Sequence, residues 1–301
     1  MTILKTITYF SLFNHPLTKE EIFRFCKYTN KEEFIERLEE LEYKQIIYNV
    51  KDHYFFEPNG KTLQKRINGN KAAEEIMPKA WEVGKFISKF PYVRGVCISG
   101  SLSKGYFDKD SDIDFFIISE KNRLWITRTF LVLYKKMFLL NSKEFFCVNY
   151  FMSSGYLKVD EENRFTATEV ATLAPLYGKE IYTAFTKRNE WVYSFFPNLE
   201  KDIGNNAKEI RKSTLSKLIE WGLNSRIGDF FERFFMKKTI KRWNKMFNHL
   251  SDEEFKIAFK SSENMSKHHP QNFQTKVLHR LNERYSEIEK TYGIKLDKEY
   301  A

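Results

Sequence analysis

Little in this 301-residue chain staples or punctuates it: there are 3 cysteines, 7 prolines and 12 glycines. Cys26, Cys97 and Cys147 are odd in number, far apart and without Cys-x-x-Cys spacing, which argues against a disulfide framework and a structural zinc site. The scarcity of glycine and proline excludes collagen-like and linker-rich chains, and 42% hydrophobic residues, with 17% aromatic, exclude a wholly disordered one. The start of the chain lacks the basic, apolar and small-residue order of a cleavable signal. An apolar run from Leu124 to Leu140 is broken by Arg128, Lys135 and Lys136, too charged and short for a comfortable membrane span. The expectation is a soluble cytoplasmic protein in a reducing compartment, with no membrane partner and two or three packing units.

Charge is uneven. Residues 1–60 carry 8 Lys/Arg against 10 Asp/Glu, residues 61–200 carry 21 against 16, and residues 201–301 carry 21 against 14. The basic excess is C-terminal. It suits RNA, or equally a lysine-rich solvated helical surface. Lys237, Lys238, Lys241, Arg242 and Lys245 form a basic stripe interleaved with Trp243 and Phe247, while His268 and His269 lack the spacing of a metal-binding helix.

Three helices and a hairpin are expected in the first sixty residues. Ile3, Leu4, Ile7, Phe10 and Phe13 recur at helical spacing before Pro16. Thr18 and Glu21 make a capping box opening a second helix, and a third begins near Asn30 with Phe34, Ile35, Leu38 and Leu41 as its stripe. Two β-rich runs, 46–48 and 53–56, flank a turn at 49–52. This pattern resembles a winged helix. Its third helix, however, carries Glu32, Glu33, Glu36, Glu39, Glu40 and Glu42 against Lys31, Arg37 and Lys44, a field that repels DNA. A packing or protein-contact role is favoured over operator binding.

The polar stretch from Asn59-Gly60 to Asn68-Gly69-Asn70 reads as a domain boundary, followed by a helix over about 71–89. Beyond Pro197 the pattern is helical, and Ile227, Phe230, Phe231, Phe234 and Phe235 suit a buried helix face. The expected units are 1–60, 70–195 and 200–301.

The chemistry lies between them. Val93 to Ser99 reads as a strand, followed by Gly100-Ser101-Leu102-Ser103-Lys104-Gly105 and then Ser111-Asp112-Ile113-Asp114 opening an apolar strand. Alternation on a strand sets Asp112 and Asp114 on one side and Ile113 and Phe115 on the other. Two carboxylates side by side call for a cation, and Mg2+ or Mn2+ suits oxygen donors shared with substrate phosphates. Gly100 and Ser101 form a phosphate cradle, with Lys104 adding charge if it turns inward.

Gly100, Ser101, Asp112 and Asp114 resemble the signature of the polymerase-β-like nucleotidyltransferase superfamily. The resemblance implies an α+β fold, a mixed sheet flanked by helices, here with an N-terminal winged-helix-like domain and a C-terminal helical domain. It also implies transfer of a nucleoside monophosphate from a nucleoside triphosphate, ATP foremost, to an acceptor hydroxyl of unspecified identity, with the two aspartates holding magnesium. The superfamily usually adds an acid on a later strand. Here the strand expected at Glu144 to Met152 offers Asn149, able to ligate metal through its carbonyl oxygen but not to act as a base. Glu169, at an expected helix start, is the substitute base, ahead of Glu144, Asp160 and Glu161. The alternative is a non-catalytic nucleotide-binding or regulatory protein acting through the winged-helix module. DNA is not an expected partner; RNA stays open through the basic C-terminal region.

Overall fold

The computed structural model describes residues 2–140, 144–200, 206–248, 250, 251, 255, 259–267 and 273–300. The N-terminal elements run α1 (Thr2–Ser11), β1 (Leu17–Thr18), α2 (Lys19–Arg24), α3 (Lys31–Tyr43), β2 (Tyr48–Val50) and β3 (His53–Phe55), with strand order β1-β3-β2. The expected capping box is present, Thr18 accepting from Glu21 N while Glu21 accepts from Thr18 N, and Asn30 caps α3. The hairpin turn is tighter than expected. Asn49 and Val50 belong to β2, and Lys51 and Asp52 alone turn the chain, both at positive φ, the geometry of a two-residue hairpin loop.

A single helix, α4 (Gly60–Ser88), follows, and it starts earlier than the expected 71–89: residues 60–70 are its first turns rather than a turn-rich link, capped by Asn59. Two contacts explain why so polar a stretch is helical. Buried Arg66 donates to His15 Nδ1 at 2.8 Å and to Glu21 Oε1 at 2.5 Å, tying the helix to the N-terminal elements. Gly69 admits the Tyr106 ring, which a Cβ would meet at 2.2 Å, and its carbonyl accepts from Phe107 N at 3.0 Å.

The central sheet contains β4 (Val93–Ser99), β5 (Asp114–Ser119), β6 (Cys147–Ser153), β7 (Ala174–Tyr177) and β8 (Met265–Lys267) in the order β7-β4-β5-β6-β8. Only β5 and β6 are parallel, joined through α5 (Leu124–Phe138); the other pairs are antiparallel. It is therefore a mixed sheet flanked by helices, as expected. Between β6 and β7 lies α6 (Arg164–Ala171); α7 (Lys179–Arg188), α8 (Val192–Phe195), α9 (Thr214–Leu223), α10 (Arg226–Met246) and α11 (Phe273–Tyr292) complete the described elements. One sheet face is closed by α4 and α5, with Val96, Ile98, Phe115, Ile117, Val148 and Phe151 in one core cluster. The N-terminal helices share a different core with α6, α8 and α11.

The phenylalanines of α10 do not all face inward. Ile227 and Phe230 are 61% and 59% exposed and Phe234 is exposed too, while Phe231 and Phe235 are half-buried. What seats this helix is polar: buried Glu232 accepts from Trp125 N at 2.7 Å and Ile126 N at 2.9 Å, capping α5, whose own cap residue offers no side-chain bond. Helical spacing showed a stripe, but the position of α5 decided which edge is covered. Trp243 points inward under the Arg128 guanidinium at 4.7 Å, leaving Lys237, Lys238, Lys241, Arg242 and Lys245 exposed.

Candidate active site

Strand β4 ends in a turn that only glycine closes without strain. Gly100 has φ +70°, and a Cβ there would stand 2.6 Å from Asp114 Oδ2. Residues 102–104 make one 3-10 turn, ended by Gly105 at φ +71°. Lys104 folds back, its Nζ 3.0 Å from the Gly100 carbonyl and 2.9 Å from Glu169. The Ser101 hydroxyl makes no hydrogen bond among the described residues, so it is free to donate to a ligand.

Asp114 opens β5, opposite Ser99 on β4 and Cys147 on β6. Ile113 is already laced to its neighbours, donating to Glu144 O at 2.9 Å and accepting from Cys147 N at 3.1 Å. Its side chain and that of Phe115 are buried in the closed-face core, which leaves Asp114 for the other side. Burial pushes the Asp114 carboxyl up to about 6, with the charges of Asp112 and Glu169 adding to it and the Cys147 thiol and Lys104 opposing it. This is an acid held among acids, the setting in which a cation is worth most.

Asn149 reaches this side through a bulge. The β5–β6 register passes from Phe115–Val148 to Phe116–Tyr150, skipping Asn149, so that Asn149 and Tyr150 both line the same chamber as Asp114. The Asn149 amide donates to Cys147 Sγ at 2.8 Å, and the thiol in turn bonds the Asp114 carboxylate. Cys147 is thus part of the site, although nothing in the sequence marked it; only the strand register sets it beside Asp114.

Gly100, Ser101, Lys104, Asp114, Asn149 and Glu169 all line one chamber of about 460 Å3. Asp112 does not line it, but its charge is felt at Asp114. Glu169 is not at a helix start: α6 begins at Arg164, capped by Asn163, and Glu169 lies in its second turn, paired with Lys104. Of the weaker candidates, Glu144 is exposed, and Asp160 and Glu161 pair with Lys260 at 3.1 and 2.7 Å. His268 and His269 lie outside the described residues. Among the described residues no three His, Cys, Asp or Glu side chains gather as a metal cluster. The oxygen donors that line the chamber near the turn are the Asp114 carboxylate and the Asn149 amide, with Asp112 just before β5 rather than on its face as expected; such oxygens fit a hard cation that takes its remaining ligands from phosphate and water. None of the basic residues of α10 lines the chamber.

The sequence motif gave no hint of the chamber's other walls. Tyr9, Phe13 and His15 come from α1 and the loop after it, Phe185 from α7, and Phe273 from α11. His15 accepts from Arg66, and burial beside that guanidinium pushes its pKa down to about 3, so it is a neutral imidazole.

Residues 82–220 match the family model for a nucleotidyltransferase domain. No curated protein and no solved structure shows significant similarity to the chain. Among the described residues no helix is long and apolar enough to cross a membrane.

Proposed function

We propose that the protein, whose residues 82–220 match the family model for a nucleotidyltransferase domain, moves a nucleoside monophosphate from a magnesium-bound triphosphate, ATP foremost, to an acceptor hydroxyl at the Gly100–Asp114 chamber. The observation that carries this reading is the Gly100 turn packed against the Asp114 carboxylate, inside the matched domain and open to a chamber.

Asp112 and Asp114 would hold the cation with Asn149 as a further oxygen donor; bound there, Mg2+ or Mn2+ neutralises the phosphates and polarises the α-phosphorus. Ser101 and the first amides of the 102–104 turn face the phosphate oxygens, and Lys104 adds a cation once it leaves the Gly100 carbonyl. The acceptor oxygen attacks the α-phosphorus, the bond to the bridging oxygen breaks, and pyrophosphate departs. Glu169 is the group we assign to take the hydroxyl proton, in support of which it lines the chamber beside Lys104. The N-terminal elements, whose order suits a winged-helix-like unit, act in this reading as a wall of the chamber rather than as a DNA reader, because the exposed side of α3 is acidic. We retain units at 1–60, 70–195 and 200–301, with α4 as a strut spanning the first two.

The test pairs calorimetry of ATP binding, with magnesium or with chelator, with pyrophosphate release. Binding that needs magnesium and is lost in Asp112→Asn plus Asp114→Asn supports the site. Unchanged binding in that variant overturns it, and nucleotide binding without release would favour a non-catalytic regulator. Glu169→Gln should keep binding while lowering turnover roughly a hundredfold.

A further inference from the structure

Beyond the reacting groups, the chamber has a character of its own. It is walled by aromatic rings from several elements: Phe116 packs on Tyr150 at 5.0 Å and on Phe185 at 5.5 Å, and Phe273 sits 6.1 Å from both Phe13 and Phe165. A polycationic or sugar-like acceptor would leave its polar groups unpaired against such walls, at a cost for each.

One polar feature stands apart from Asp114. Lys267 on β8 pairs across the strands with Tyr150 and therefore shares its chamber face. Its Nζ donates to Gln274 Oε1 at 3.3 Å, and among the described residues it makes no ion pair with a carboxylate. Lys260 nearby is already matched by Asp160 and Glu161. Burial, with the charge of Lys260, holds the Lys267 ammonium below the usual lysine range against the opposing charges of Glu161 and Glu169. The register places Lys267 two strands across and two residues along from Asp114, roughly 12 Å between Cα atoms at ordinary strand spacings.

We propose that this chamber is the acceptor site and that it takes a small amphiphilic anion: an aromatic or aliphatic body spanning the ringed walls, its hydroxyl near Asp114 and its single carboxylate, sulfonate or phosphate on Lys267. The proposal rests on the nucleotidyltransferase reading for the word acceptor, but the binding chemistry stands on the chamber alone.

The test uses two fluorescent probes with one body: anilinonaphthalene sulfonate, which carries the anion, and phenylnaphthylamine, which does not. The sulfonate should bind the intact protein at least about tenfold tighter, the worth of one charge-assisted hydrogen bond. Lys267→Met should bring the two affinities together by weakening the sulfonate alone, and Val159→Trp, which narrows the chamber, should weaken both about tenfold, with thermal unfolding confirming that each variant folds. Equal affinities in the parent protein, a preference that survives Lys267→Met, failure of both probes to bind, or binding indifferent to Val159→Trp would each overturn the proposal; the last would place the probes elsewhere, such as the exposed face of α10. Saturating magnesium-ATP should leave the sulfonate affinity within about twofold. Competitive displacement would show that the chamber receives the nucleotide, which ends this proposal while supporting the activity; absence of ATP binding would undo the activity while leaving the probe comparison to decide the chamber.

Discussion

The two faces of the central sheet are made by alternate residues of the same strands, yet they do opposite things. Phe115, Ile117, Val148 and Phe151 face α4 and α5 in a closed core; Asp114, Phe116 and Tyr150 face a chamber. The closed face is covered by two long helices lying directly on the strands. The other carries α7 on a second core, with Cys97, Phe116, Ile118 and Met152 against Tyr182 and Phe185, and gives way to the chamber only towards Asp114, where residues of α1, α6 and α11 form the walls. At the Asp114 end of β5 the chamber and the closed core are a single residue step apart, so substitutions of Asp114 and Phe115 should have unlike consequences.

The largest contrast lies between Asp114 and its neighbour Phe115. Asp114→Asn should lower nucleotidyl transfer roughly a thousandfold, since cation-mediated charge stabilisation is worth several kcal/mol. The fold should not suffer. The native carboxyl titrates at about 6 and the unfolded one near 3.8, so between these values the native state holds the extra proton and stability falls as pH rises through the window. In chelator at pH 7 the asparagine variant should therefore melt no lower than the parent, and calorimetric scans check this. Phe115→Ala, by contrast, should cost about 3–5 kcal/mol of stability in denaturant titration, against under about 1 kcal/mol for Phe13→Ala on the chamber rim; similar losses for the two would erase the distinction between the faces.

Gly100→Ala sharpens the comparison where the faces meet the turn. The positive φ costs about 1–2 kcal/mol, and the new methyl displaces the Asp114 carboxylate, so transfer should drop roughly a hundredfold with only that modest loss of stability. The smallest effect concerns protons. Magnesium should raise the melting temperature more at pH 7.5 than at pH 5, because below about 6 a proton occupies Asp114. His15→Gln should leave that difference unchanged, since His15 is neutral above about 3; its own contribution to stability declines only as pH falls from its unfolded value near 6.5 towards 3. A His15 variant that altered the magnesium response between pH 5 and 8 would contradict this assignment.

What the sequence by itself determined is local. The capping box at Thr18 and Glu21, the strand Val93–Ser99, the glycine turn and the two acids flanking Ile113 depend on residues within a few positions of each other, and spacing and backbone preference decide them. What only the tertiary structure decided depends on partners distant in the chain. Asn59 to Asn70 has the composition of a junction, but Arg66 and Gly69 find His15, Glu21 and Tyr106, and that packing outweighs weak helix propensity. Asn149 and Tyr150 face the same way because β6 slips by one residue against β5, a register that no period-two reading supplies. Cys147 joins the site through that register, Glu169 through its pairing with Lys104, and Lys267 because β8, over a hundred residues later, closes the sheet beside β6. The motif is legible because the turn that holds it is short; the walls of the chamber come from the packing of elements whose sequence separation leaves no local trace.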